Sequence, residues 1–594
     1  MSAVSSGVPG AKPGQGGHAA GEGGHAAGHG AGHGTASGNA VAATYRARQM
    51  LARAHWAAGA FATYDRASVL RIAHAAATTA HAQARRYAEW AVKETGFGVA
   101  EHKVIKNEAC SLGIFERYAG EDYVSPRLDT AGKIVSLPRP AGVVLALTPS
   151  TNPVCSVFFK IIIALLTRNA IVVSPHPMAK DCCTDAVRLL ASAAVDAGAP
   201  DGTIQVVSDP TVPLIEALMA DPVTDVIVAT GGTAVVAAAH RSGNPALGVG
   251  PGNVPVLVDA TADLAAAARR IVDSKAFDNS VLCTNESVLV VQDSVADQLL
   301  REMQRQHAAV LDLPATGKLR AYLFPDGRLN GEAIGKDAAW IAERAGVRVP
   351  PRTRVLVAPF GLVVPEEPLA REKLSPVLGL VRAQTAERGI EAARAVVRLG
   401  GPGHSAAIHS REPRTIMRFG VRVPVLRVAV NVGNSTGSSG LETNLAPSMT
   451  LGTGFAGGSS IGENLEPRHL VNWARVAYNC DASVPFDDFT GIAATEQPDG
   501  PVPGYPSASN LPGAPALRPP SAAAGSPAGA GQPAGASASA GASASAGASA
   551  SAGAVASPDW AGAAGPHGST AVSDGVREQL RALIIEELQQ LVRG

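Results

Sequence analysis

Cysteine is scarce and unpatterned in this sequence. The six cysteines, Cys110, Cys155, Cys182, Cys183, Cys283 and Cys480, form no C-x-x-C pair and no zinc-type spacing. Adjacent Cys182 and Cys183 are poorly placed to bridge each other. A disulfide scaffold is therefore excluded, and a reduced, cytoplasmic setting is expected. An excess of charge is missing as well. The 50 basic side chains balance 50 acidic ones, which leaves no electrostatic footprint for nucleic acid or an anionic membrane surface. The longest apolar run, around Val157–Leu166, is broken by Lys160 and is too short to span a bilayer. The N-terminus lacks the basic region and apolar core of a secretory signal, so a soluble protein is expected.

What is present is a long chain with an uneven layout. At 594 residues it exceeds a single core, and 46% of it is apolar, so two to four domains are expected. Residues 1–40 are mostly Gly, Ala, Ser and His. They cannot bury enough surface to offset the entropy of ordering, and they read as a solvated arm. His18, His25, His29 and His33 each sit beside a glycine there, with metal binding as the alternative. Helical patterning runs from about Ala42 to Tyr118. From Ala141, strands at Gly142–Leu147, Ala170–Ser174, Thr203–Val207, Asp225–Ala229 and Val254–Val258 alternate with helices. The helices are Pro153–Leu166, Ala179–Ala197, Val212–Met219 and Thr233–His240. Apolar strands spaced by helices predict a parallel, doubly covered sheet, with ligands at strand carboxyl ends and helix N-termini. A second α/β region over 260–440 holds strands near Val288–Val291, Val355–Ala358, Ser405–His409 and Leu426–Val430, and a helix near Val295–Ala308. Residues 441–482 form a Gly-rich return.

The stretch that bears chemistry is Phe277–Glu286, F-D-N-S-V-L-C-T-N-E, where a polar turn leads into Cys283 and then a buried strand. A thiol at such a junction is a candidate nucleophile, and also an ordinary small buried hydrophobe. Leu147–Pro153 (L-T-P-S-T-N-P) ends a strand and opens a helix. With Pro149 fixing the turn, Thr148, Ser150, Thr151 and Asn152 present polar groups that suit an anion or an oxyanion, or simply cap the turn. Ser174, His176 and Pro177, in S-P-H-P, close the next strand and are placed to face a ribose. Thr230, Gly231 and Gly232, in A-T-G-G-T, allow close backbone approach by a ligand. Gly248, Val249 and Gly250, in G-V-G-P-G-N, precede a strand instead of opening a helix, so that string is not a dinucleotide fingerprint.

Taken in order, these stretches resemble the aldehyde dehydrogenase superfamily, and within it the CoA-acylating branch, over about residues 42–480. Val104–Asn107 (V-I-K-N), Thr167–Lys180, Lys373–Leu378 (K-L-S-P-V-L), Gly403–Ser410 (G-H-S-A-A-I-H-S) and Leu445–Gly452 (L-A-P-S-M-T-L-G) add to the match. The resemblance implies an α/β fold with a parallel-sheet, NAD- and CoA-binding domain at 41–259 and a catalytic domain at 260–440. It also implies a β-flap formed by 441–482 with 122–137, through which the chain dimerises or tetramerises. Cys283 becomes the expected nucleophile, and Glu372 the expected holder of the nicotinamide ribose. His404 either assists deprotonation of the coenzyme A thiol or is structural.

Two departures carry mechanistic content. Gly248 stands for the water-activating glutamate of the hydrolytic E-L-G-G-K motif, so a thioester should survive until a thiol takes it. Aligning both prolines of the P-S-T-N-P turn puts Thr151 at the oxyanion asparagine, although Asn152 is the favoured side-chain donor. Ser174 replaces a lysine of many hydrolytic members, in keeping with NAD. The expected reaction is short-chain aldehyde, coenzyme A and NAD+ to acyl-CoA and NADH. Few aromatics (4%) and small residues around Cys283 favour a short aliphatic substrate. The alternatives are a hydrolytic dehydrogenase releasing free acid and a non-catalytic scaffold.

Residues 483–571, rich in Pro, Ala, Gly and Ser from 498, predict a flexible tether. Over 572–594, Val576, Leu580, Leu583, Ile584, Leu588, Leu591 and Val592 share one helical face, with Arg577, Glu578, Arg581, Glu586 and Gln590 largely opposite. Tether and helix resemble the encapsulation peptides of bacterial microcompartments. The implied partners are shell or cargo proteins, and the implied location is the compartment lumen; coiled-coil self-association is the alternative.

Overall fold

The computed structural model describes residues 32–494 and 504–506. The first part of the expected arm, most of the tether and the 572–594 helix lie outside the described residues.

Strand Val143–Leu147 (VVLAL) is buried at every position and sits at the centre of a five-stranded parallel sheet. The order is Ile204–Val206, Ala170–Ser174, Val143–Leu147, Val226–Thr230 and Ala246–Val249. Unbroken aliphatic runs are what a strand covered on both faces requires. The helix that follows, Pro153–Leu166, has all 14 residues buried and begins with proline, where the missing N–H costs nothing. A second parallel sheet has seven strands. Their order is Ala308–Val310, Val355–Pro359, Val377–Ala383, Glu286–Gln292, Val254–Val258, Ala406–His409 and Val428–Val430. Ile134–Pro140 pairs antiparallel with Arg127–Asp129 on one side and Val471–Ala477 on the other, which forms the expected flap. Among the described residues, no helix is long and apolar enough to cross a membrane.

Three boundaries differ from the sequence expectation. Val254–Val258 pairs with Glu286–Gln292 and Ala406–His409, so it belongs to the seven-stranded sheet, and the first α/β region ends at Val249 instead of residue 259. Hydropathy shows that a strand is buried, not which sheet buries it. The first helix, Gly32–Phe61, begins inside the expected 1–40 arm. Its downstream Ala47, Leu51, Ala54 and Ala58 join the core beneath the five-stranded sheet. Residues 483–494, expected to open the tether, instead pack on the flap. Phe486 and Phe489 meet Tyr478 edge-to-face, and Lys133 Nζ donates to the Val484 carbonyl at 2.6 Å.

Candidate active site

The carboxyl ends of four parallel strands open onto one cleft of about 630 Å³. The turn after Val143–Leu147 lends Thr148, Pro149, Ser150, Thr151 and Asn152 to its wall. The next strand lends Ser174, His176 and Pro177. Thr230, Gly231 and Gly232 follow from Val226–Thr230, and Val249 and Gly250 from Ala246–Val249. Cys283 and Glu372, carried by the second α/β region, line the same cleft. Residues spread over more than two hundred positions are thus brought to one surface.

Gly248 and His404 are not on that wall. A Cβ at Gly248 would meet Val236 Cγ1 at 2.6 Å and His240 Nε2 at 2.8 Å, so a side chain there would point into helix Thr233–Arg241. A Cβ at cleft-lining Gly250 would meet nothing within 4 Å. Within this string a carboxylate could reach the cleft from residue 250, which lies past the end of the strand with open space before it, and not from the expected 248, whose Cβ direction is filled by Val236 and His240. His404 is fully buried behind Gly252, whose Cβ would fall 3.3 Å from His404 Nδ1 and 2.0 Å from the Cys283 carbonyl oxygen. Burial and the Arg427 charge push the His404 imidazole down to about 3. It is neutral at pH 7 and hydrogen-bonded to Ser405 Oγ at 3.0 Å.

The nucleophile candidate follows an uncommon turn. Asp278, Asn279 and Ser280 all have left-handed φ values of 50°, 49° and 64°. For non-glycine residues each costs about 1–3 kcal/mol and persists only where surroundings over-determine it. Here they do. The buried Asp278 carboxylate accepts the Val99 N–H at 2.7 Å, Lys103 Nζ at 2.9 Å and Lys106 Nζ. The Asp278 N–H donates to His102 Nδ1 at 2.8 Å, and Asn279 Nδ2 donates to the Gly335 carbonyl at 2.9 Å. Gly98, at φ 83°, leaves the space, since a Cβ there would lie 2.1 Å from Asp278 Oδ1. Downstream, Asn285 Oδ1 accepts the Leu282 N–H at 2.8 Å, and Asn434 Nδ2 donates to the Thr284 carbonyl at 2.7 Å. Cys283 is thereby held from both sides.

Burial, reinforced by the Glu372 carboxyl, pushes the Cys283 thiol up to about 12, against the opposing pull of Arg427. The resting group at neutral pH is the thiol. Burial also raises Glu372 to about 8, against the hydrogen bond it accepts from the Gly252 N–H and the charges of Lys275 and Lys373. A carboxyl mostly protonated at pH 7 places little negative charge beside the sulfur. Buried Arg427 is anchored by the carbonyls of His404 and Gly403 at 3.0 and 2.9 Å. Lys103, Lys106, Asp278 and Arg427 are the residues for which the sequence suggested no role. Lys103 and Lys106 sit one helical turn apart in and beside V-I-K-N, but their Asp278 partner is 172 to 175 positions away.

The cleft fits a nucleotide. Helices Pro153–Leu166 and Thr233–Arg241 both begin at it, and their free N–H groups suit phosphate. Among the described residues Thr148 Oγ1 is buried without a partner, and Gly232, like Gly250, has open space at its Cβ position.

The aldehyde dehydrogenase family pattern matches residues 33–313. The bifunctional aldehyde-alcohol dehydrogenase of Escherichia coli (strain K12) is 39% identical over 424 residues, covering 70% of this chain and 48% of that protein. The chain spans about half the length of the first curated relatives it matches. The succinate-semialdehyde dehydrogenase (acetylating) of Clostridium kluyveri is 34% identical over 441 residues, covering 74% of this chain and 97% of that one. The crystal structure of an acetylating aldehyde dehydrogenase from Geobacillus thermoglucosidasius aligns with a TM-score of 0.73 at 36% identity, over 74% of this chain and 98% of that one. A propionaldehyde dehydrogenase from the Clostridium phytofermentans fucose utilisation bacterial microcompartment aligns with a TM-score of 0.66 at 27% identity, over 73% and 97% of the two chains.

Proposed function

The chain belongs to the aldehyde dehydrogenase family, and from that premise we propose that it is a CoA-acylating member. It converts a short-chain aldehyde, coenzyme A and NAD+ to acyl-CoA and NADH. The observation that carries this is the cleft's supply of bases. Glu216 and Glu372 are the only carboxylates among its lining residues, and the Gly248–Asn253 loop supplies none. The loop that carries the water-activating glutamate in hydrolytic members carries none here, so a thioester formed on Cys283 is left for a thiol. Two relatives whose names carry "acetylating" support the same reading.

In this mechanism the Cys283 thiol gives up its proton to water in the open cleft, its Sγ attacks the carbonyl carbon, and the carbonyl π pair moves onto oxygen. Backbone N–H groups near Cys283 and the side chain of Asn152, or of Thr151, receive that charge. NAD, when bound, supplies the hydride acceptor. Thr148–Thr151, Ser174–Pro177, Gly231 and Gly232 would seat it, and Glu372 would hold its ribose. Return of the oxyanion electrons expels hydride and leaves an acyl thioester on Cys283. The coenzyme A thiol loses its proton as its sulfur attacks the acyl carbon, and Cys283 departs and takes up a proton, which restores the thiol. His404, fully buried and absent from the cleft wall, is not the base in this scheme.

The test is NADH formation from propionaldehyde and NAD+ with and without coenzyme A, with product mass determined. Strict CoA dependence and an acyl-CoA product are expected; free acid formed without coenzyme A overturns the reading.

The flap carries self-association, because strand Val471–Ala477 leaves one edge unpaired and is largely exposed. Residues 572–594 act as a targeting helix for a microcompartment shell, a reading supported by their apolar stripe and by the origin of one structural neighbour. Deleting 570–594 should leave specific activity intact and abolish co-purification with shells; unchanged co-purification refutes it.

A further inference from the structure

Lys106 is among the most deeply buried side chains of the molecule, 1% exposed, and it lies next to the proposed oxyanion site. Its ammonium makes two contacts, to the Asp278 carboxylate and to Asn152 Oδ1 at 2.6 Å. Lys103, one turn earlier, holds the same Asp278 oxygen at 2.9 Å and the Thr151 carbonyl at 3.2 Å. Two cations therefore share one carboxylate. Burial and the neighbouring Lys106 charge push Lys103 downward.

An asparagine amide has an acceptor end and a donor end, and which of them faces a substrate oxygen decides whether it stabilises or repels developing charge. With Asn152 Oδ1 taken by a cation, the donor end is the one left for the cleft. One Nδ2 hydrogen goes to Thr151 Oγ1 at 3.2 Å, and the other has no acceptor among the described residues. The same Asp278 that anchors Lys106 forms the left-handed turn leading to Cys283, so donor and nucleophile share one support.

We propose that Lys106 is a positioning residue: it locks the Asn152 amide with its N–H toward the aldehyde oxygen and, through Asp278, fixes that donor relative to Cys283. The inference rests on the acylating reading. In the first half-reaction Cys283 Sγ bonds to the carbonyl carbon, the C=O pair moves to oxygen, and Asn152 Nδ2–H meets it. Lys106 touches neither sulfur nor substrate.

The experiment is a double-mutant cycle of Lys106→Met and Asn152→Ala, read by kcat and KM. Lys106→Met should lower kcat about 100-fold or more, the scale of one lost oxyanion donor, with KM for NAD+ within about twofold. In the Asn152→Ala background the same change should cost less than about threefold, because one residue acts through the other. Lys106→Arg should recover part of the loss. Losses that multiply, or a Lys106→Met kcat within threefold of wild type, overturn the proposal. Should Lys106→Met not fold, Lys106→Gln carries the same cycle, since it keeps a donor for Asp278. Alkylation of Cys283 by iodoacetamide needs neither aldehyde nor coenzyme A, and it should slow several-fold in Lys106→Met at pH 8. An unchanged alkylation rate counts against Lys106 even if the wild type makes no acyl-CoA, and the latter result alone would defeat only the functional reading.

Discussion

Residues 248 and 250 lie two positions apart, yet the structure assigns them opposite fates if each is replaced by glutamate. A carboxylate at 250 enters open space in the cleft shared with Cys283. A general base there is worth about 10²–10⁴-fold, or about 3–5 kcal/mol at 1.36 kcal/mol per decade. Gly250→Glu should therefore release free acid from propionaldehyde and NAD+ without coenzyme A, about 100-fold or more above the wild-type background. A glutamate at 248 meets Val236 and His240 instead, at 2.6 and 2.8 Å from its Cβ. Over-packing of that kind costs about 1–3 kcal/mol, and burying an unpaired carboxylate adds to it. Gly248→Glu should lose stability, about 2–4 °C in Tm per kcal/mol, and gain no hydrolysis. The assay is NADH absorbance without coenzyme A, with the product weighed by mass spectrometry and Tm measured beside it. Acid from Gly248→Glu and none from Gly250→Glu would show that the loop faces the other way, and the geometric argument would be wrong.

Three further outcomes follow from the charges around Cys283. Glu372 is raised to about 8 from 4.5, so the folded chain holds a proton that the unfolded chain has released between those values. Stability is complete below about pH 4.5 and falls as pH rises toward 8; Glu372→Gln should flatten that slope in a Tm–pH series, and an unaltered slope refutes the burial argument. With the Cys283 thiol at about 12, iodoacetamide labelling of the resting enzyme should rise about tenfold per pH unit from 7 to 10, and a plateau by pH 8 contradicts it. Asp278→Asn removes the only carboxylate held by Lys103 and Lys106 and should cost about 3–5 kcal/mol in denaturant unfolding; a loss under 1 kcal/mol would mean that the triad is not what sustains the turn.

Periodicity made four strands of the five-stranded sheet legible almost to the residue, because a strand such as Ala170–Ser174 is apolar throughout and its helices are clearly bounded, but the fifth, Ala246–Val249, went unread. It could not assign Val254–Val258, since both sheets of the molecule want the same aliphatic strand. Helices Leu264–Ala276 and Ala386–Leu399 and strand Val377–Ala383 went unread. The cleft residues were legible where turn chemistry marked them, as in Leu147–Pro153 and Thr230–Gly232. The direction of Gly248 was not, because one residue of register inverts the facing of a short strand. Nor was the Lys103–Asp278–Lys106 triad, which joins segments too distant for any local pattern to connect.

The left-handed turn before Cys283 has a consequence for when reactivity arises during synthesis. Its three residues favour ordinary backbone angles until helix Ala100–Glu108 arrives with its two lysines and the Val99 N–H, 172 to 179 positions earlier in the chain. Neither segment can hold the bend alone. A half-made or partly unfolded polypeptide carries the cysteine but not its aligned surroundings, so it is an ordinary thiol without a donor for a carbonyl. Competence is conferred when the two segments dock, and it is withdrawn when they part.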